Sequence, residues 1–141
     1  MESSQPGVTA ILETALYVAD LPRSRDFYER VMGLPRLAED GHFSAYEAGP
    51  NVLLLFAQGS ADHRVETPHG AIPPHDAAGR QHIALGVRAG ELTAWEARLD
   101  REGIAVEGRM DWPPGGSSLF FRDPDGHLLE LATPGLWRNF R

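Results

Sequence analysis

The chain has 141 residues, 42% of them hydrophobic and 23% charged, which leaves room for one domain and excludes a disordered or membrane-embedded chain. Thirteen Lys and Arg against 20 Asp and Glu give a formal charge of −7, and such a surface repels nucleic acid and anionic membrane. With no cysteine, disulfides, thiolate zinc sites and cysteine nucleophiles are all excluded.

No apolar run approaches the ~18 residues of a membrane span. Residues 1–8 are expected to be a flexible tail without a basic or apolar targeting region, which predicts a cytoplasmic protein. Ile11 to Val18 mixes apolar and β-branched residues and predicts a strand. Asp20-Leu21-Pro22 opens a helix, Phe27, Tyr28, Val31 and Met32 recur at helical spacing, and Gly33 stops it. Short strands are expected near Leu37, over Phe43 to Glu47 and over Val52 to Phe56.

The stretch 59–80 is polar and rich in Pro and Gly, too long for an ordinary connection, and reads as a linker or a lid. Beyond it the order repeats. His82 to Val87 predicts a strand, Glu91 to Arg101 a helix, and Ile104 to Val106 a short strand. Ser118 to Arg122 and Leu128 to Ala132 form a hairpin about the turn Asp123-Pro124-Asp125-Gly126. Residues 9–58 and 81–134 are thus two modules of strand, helix and three strands. In the tail 135–141, Leu136, Trp137 and Phe140 are available to dock on the domain or on a second subunit.

Aligning Val18 with Val87 pairs Ala15 with Ala84 and Glu13 with His82. Glu130 lies in the last strand, between Leu128-Leu129 and Leu131-Ala132. A carboxylate among leucines is costly unless a cation, hydrogen bonds or solvent compensate it. Taken singly, Glu130 and Glu13 read equally as solvent-facing residues, and His82 as a hydrogen-bonded core histidine. Their matched placement favours a shared divalent ion. One His and two carboxylates suit Mn²⁺, Fe²⁺, Zn²⁺, Co²⁺ or Ni²⁺, the oxygen-rich set leaning toward Mn²⁺ or Fe²⁺.

Three ordered segments carry a resemblance: Tyr17-Val18-Ala19-Asp20-Leu21-Pro22-Arg23-Ser24 with Phe27-Tyr28 and Gly33-Leu34, then Gln81 to Val87, then Leu119 to Leu131. Over residues 9–134 the chain resembles the vicinal oxygen chelate superfamily of glyoxalases, bleomycin-resistance proteins and extradiol dioxygenases. The resemblance implies an α+β fold of two βαβββ modules in tandem, their mixed sheets curled round a single cleft. It places the metal on Glu13, His82 and Glu130, and it implies a homodimer acting on a small molecule. The substrate would chelate through two neighbouring oxygens for isomerase, lyase or ring-cleaving oxygenase chemistry, with Glu13 or Glu130 as base.

Glu13 stands where members most often carry His, and Phe120 where fosfomycin-resistance members carry Tyr, so dioxygenase and fosfomycin chemistry lose weight. The fourth ligand of glyoxalase I falls closest to Leu53, which takes weight from lactoylglutathione lyase chemistry. Tyr46, His75, Trp112 and Phe120 are candidates for the cleft, and His69 and His75 for closing over it. The alternative from another class is a metal-free protein that sequesters a ligand, as bleomycin-resistance members do. A third reading, with both glutamates exposed, is a partner subunit. Nucleotide-binding and HExxH metallohydrolase motifs are absent.

Overall fold

A computed structural model describes residues 5–141; the first half of the expected tail, residues 1–4, lies outside the described residues. The first half of the chain runs β1 (Glu13–Val18), α1 (Leu21–Asp26), β2 (Arg36–Glu39), β3 (Phe43–Ala48) and β4 (Asn51–Ala57). The second runs β7 (His82–Gly86), α2 (Leu92–Arg101), β8 (Gly108–Asp111), β9 (Ser117–Arg122) and β10 (Leu128–Ala132). Between them a hairpin, β5 (Val65–Thr67) and β6 (Gly70–Ile72), occupies the stretch expected as a linker or lid. Thr67 closes its turn, its hydroxyl donating to the Gly70 carbonyl at 2.7 Å and accepting from His69 N–H at 3.1 Å.

The strands form two four-stranded sheets of matching order, β1-β4-β3-β2 and β7-β10-β9-β8. Each is mixed: the first strand lies parallel to the last, and the remaining pairs are antiparallel. This is the expected α+β architecture. Alternation along β1 buries Leu16 and Val18 and leaves Glu13, Ala15 and Tyr17 on the other face. Leu53, Leu55 and Tyr46 from the first sheet meet Phe121, Leu129 and Leu131 from the second in one core, with Leu99 of α2.

Asp20 caps α1, its Oδ1 accepting from Arg23 N–H at 3.1 Å, with Pro22 in the first turn, where a missing N–H costs nothing. The helix does not continue as a plain α-helix to Met32. At Phe27–Val31 it widens into a π-helical turn, Met32 N–H donating to the Phe27 carbonyl at 3.1 Å. The widened turn lets Phe27, Tyr28, Val31 and Met32 all reach the core. Gly33, at φ +69°, ends it.

Ile104 to Val106 is not a strand. Ile104 N–H closes the end of α2 on the Leu99 carbonyl at 2.9 Å, and the segment packs on the core by its side chains alone. Its backbone reaches a neighbouring strand first at Glu107, which donates to Phe120 O at 2.8 Å, so the ladder begins one step later, at Gly108.

The turn between β9 and β10 ties the two halves together. Asp123 Oδ1 accepts from the N–H groups of Asp125 and His127, both at 2.9 Å, and Oδ2 from Tyr28 Oη at 2.7 Å. Burial, and next the charge of Asp123, hold the Tyr28 hydroxyl well above its ordinary range, so it stays a donor. Asp125 reaches back to α1, accepting from Ala19 N–H at 2.8 Å and Ser24 Oγ at 3.2 Å. His127 Nδ1 accepts from Gln81 N–H at 2.9 Å, which leaves Nε2–H to donate to Tyr17 O at 2.8 Å.

Candidate metal centre

Strand register decides which side chains share the face turned away from the core. In the second sheet His82 pairs with Leu128, Ala84 with Glu130, and Glu130 with Phe120. His82, Glu130 and Phe120 therefore stand together, with Leu129 and Leu131 on the buried side. His82 Nε2 lies 3.3 Å from Glu130 Oε1. The imidazole is exposed and the carboxylate is 8% exposed. The Phe120 ring lies nearly parallel to the imidazole, 6.5 Å away between centroids.

The hydrogen bonds around this pair fix which lone pairs are free. His82 Nδ1 lies 2.8 Å from the Leu128 carbonyl, which only accepts, so Nδ1 carries the proton and a neutral ring presents a lone pair at Nε2. Ser118 Oγ donates to Glu130 Oε2 at 2.6 Å and itself accepts from Trp112 Nε1–H at 2.8 Å. That leaves Glu130 Oε1 facing His82 Nε2: an ion pair when the imidazole carries a second proton, and two acceptors that a cation can bridge when it does not. Histidine fixed by a backbone carbonyl and glutamate fixed by a hydroxyl form a donor set that fits a divalent ion.

Glu13 does not join this pair within one chain. It lies on the outward face of the first sheet, exposed, opposite Val52. Tyr17 of β1 meets the segment just before His82, its N–H donating to Gln81 Oε1 at 3.1 Å. Among the described residues, Glu13, His82 and Glu130 are not a group whose ligand atoms all lie within 4.8 Å of one another.

The register also corrects the fourth-ligand position. Glu130 pairs with Ala84, and the residue in the same relation to Ala15, the repeat counterpart of Ala84, is Leu54. Leu53 faces the core, 3% exposed. The position still carries no ligand atom.

Tyr46 belongs to the core rather than the cleft: it has no exposure and its hydroxyl donates to Glu29 Oε2 at 2.7 Å. His75 serves the first sheet, its Nδ1 2.6 Å from Tyr17 Oη and its ring against Phe56 at 4.6 Å between centroids. His69 sits exposed on the β5–β6 turn. Trp112, by contrast, lines a cavity of about 470 Å³ with His82 and Glu130, closed on one side by Leu136, Trp137 and Phe140.

Among the described residues, the cluster of three whose ligand atoms all lie within 4.8 Å of one another is Asp123, Asp125 and His127. Its donors are spent: every carboxylate oxygen accepts from a protein donor, and both His127 nitrogens are engaged as described above. It is a structural joint. Sequence reasoning missed the roles of His127 and Ser118, although both lie in or beside the third motif; a histidine directly after the Asp-Pro-Asp-Gly turn was the available signal.

Residues 10–131 match the Glyoxalase/Bleomycin resistance protein/Dioxygenase superfamily. The chain belongs to this superfamily. A solved lactoylglutathione lyase from Agrobacterium tumefaciens superposes with a TM-score of 0.85 at 32% identity, covering 94% of this chain and 99% of that one. Metallothiol transferase FosB of Bacillus licheniformis is 32% identical over 117 residues, 82% of this chain and 70% of that protein. The fosfomycin resistance protein FosX from Listeria monocytogenes shares the superfamily fold, with a TM-score of 0.67 at 18% identity over 92% of this chain and 97% of that one. Lyase and transferase relatives thus stand side by side, and individual residues must separate them. Among the described residues no helix is long and apolar enough to cross a membrane.

Proposed function

We propose that the protein is a divalent-metal enzyme of this superfamily, acting as a homodimer on a small molecule with two neighbouring oxygens. The carrying observation is the apposition of His82 Nε2 and Glu130 Oε1 at 3.3 Å, each with its other polar atom already committed. His82 and Glu130 hold the ion, and Glu13 of a second copy completes the set. An ion there supplies Lewis acidity toward the substrate oxygens. Around it the chain binds and orients: Phe120 stacks beside the imidazole, Ser118 pins Glu130 Oε2, and Glu13 or Glu130, released from the ion, would take a proton from a carbon next to an oxygen. Isomerase and lyase chemistry follow from that proton transfer; ring-cleaving oxygenation would need an Fe²⁺ or Mn²⁺ occupant. An intracellular setting, in the cytoplasm, is part of the same reading.

The test is metal content by mass spectrometry of tag-free protein reloaded with Mn²⁺, Fe²⁺, Ni²⁺ or Zn²⁺. About one ion per chain is expected, lost in Glu130→Ala and in His82→Ala. Failure of every loading would sink the enzyme reading. It would leave a ligand-sequestering protein, which the aromatic-lined cavity also supports.

A further inference from the structure

The cavity beside His82 and Glu130 has a wall for which the metal site has no use. Its volume of about 470 Å³ suits a small molecule. One end presents His82 and Glu130, and much of the remainder is Trp112, Leu136, Trp137 and Phe140.

The C-terminal segment is built into this position. Gly135, at φ +134°, lies so close to the β8–β9 loop that a Cβ on it would fall 2.6 Å from the Gly115 carbonyl carbon. A Cβ on Gly116 would fall 2.7 Å from the carbonyl oxygens of Thr133 and Pro134. Backbone thus packs on backbone, and only glycine permits it. Ser117 N–H donates to Thr133 Oγ1 at 2.8 Å, which anchors the start of the tail. Its end is folded back, Gly135 N–H on Phe140 O at 2.9 Å and Phe140 N–H on Trp137 O at 3.0 Å. The Phe140 ring then rests on Gly86 of β7, its Cζ 2.7 Å from where a Cβ would stand.

Held this firmly, the rings still keep open surface, Trp137 66% exposed and Phe140 38%. Fixed aromatic surface left uncovered beside a polar pair favours a ligand with an apolar body and a polar end.

Building on the metal site proposed above, we infer that residues 135–140 are the specificity element of this enzyme. They select a substrate whose two metal-facing oxygens are carried on a flat, apolar group of aromatic size.

Hydroxamates present two neighbouring oxygens, and benzohydroxamate and acetohydroxamate differ in the apolar group alone. Each is titrated calorimetrically into the Mn²⁺-loaded full chain. Benzohydroxamate is expected to bind on the order of 10- to 100-fold more tightly, the worth of burying a phenyl ring. In Trp137→Ala/Phe140→Ala the preference should fall to about threefold or less, with acetohydroxamate affinity unchanged. Gly86→Val, which displaces Phe140 from β7 without altering the tail, should act the same way.

No preference in the wild type, or a preference that survives both variants, overturns the inference while leaving the metal site standing. If instead no metal is retained and neither hydroxamate binds, the metal reading has failed. The wall is then tested alone, by saturation transfer from metal-free protein to the ring protons of benzamide. Transfer lost in the double variant supports the wall, and transfer absent or unchanged overturns it.

Discussion

Ser118 carries more of the candidate centre than its size implies. Its hydroxyl accepts from Trp112 and donates to Glu130 Oε2, so a single rotor sets which carboxylate oxygen faces His82. In Ser118→Ala the carboxylate loses its fixed donor in a site that is 8% exposed, and Oε1 loses its aim. Metal affinity, measured by competition with a chelator of known strength, is expected to fall about 10- to 100-fold. Ser118→Thr, which keeps the hydroxyl, should restore most of the loss. A merely structural serine would lower the melting temperature in Ser118→Ala and leave affinity unchanged. Nothing in the sequence around Ser118 marked this role, because it depends on β9 lying in register against β10.

The element scale shows why some features were legible and others were not. β10 matched its expected bounds, Leu128 to Ala132, because the Asp-Pro-Asp-Gly turn sets its start and Pro134 lies just past its end. Assigning Leu53 to the fourth-ligand position failed by one residue, and in a strand one residue is the opposite face. Ile104 to Val106 had strand composition but no partner backbone, which composition cannot reveal. The π-helical turn was hidden because Phe27, Tyr28, Val31 and Met32 fit ordinary helical spacing as well. That turn places Tyr28 under the β9–β10 turn, where burial and Asp123 keep its hydroxyl protonated. A tyrosine whose folded pKa lies well above the unfolded value of 10.0 stabilises the protein fully below that pH, and the contribution is lost as pH rises above it. Tyr28→Phe should cost about 1–3 kcal/mol at neutral pH by removing a donor from a buried carboxylate. It should also flatten the loss of stability above pH 10.0, read from urea midpoints across the alkaline range. An unchanged alkaline slope would show that Tyr28 ionises alike in both states.

At the scale of the whole molecule, the single chain leaves its outward sheet faces open. Glu13 stands on one such face, and the metal pair on the other sheet. Large apolar side chains nearby are uncovered, among them Ile11 at 75% exposed and Leu12 at 68%. In the homodimer proposed above, a second copy covers Ile11 and Leu12 and brings its Glu13 to His82 and Glu130. The arrangement has a decisive consequence for mixtures. Suppose a Glu13→Ala chain and a Glu130→Ala chain, each deficient in metal alone, are isolated as mixed dimers through two different tags. A site shared across the interface leaves one position with both glutamates missing and the other with the full set, so about one ion per dimer returns. A site confined to one chain stays defective in both copies, and nothing returns. Recovery to about one ion, with each parent dimer near zero, is the expected result. Its absence, in mixed dimers shown to be intact by sedimentation, would mean that Glu13 completes the set within its own chain rather than across the interface.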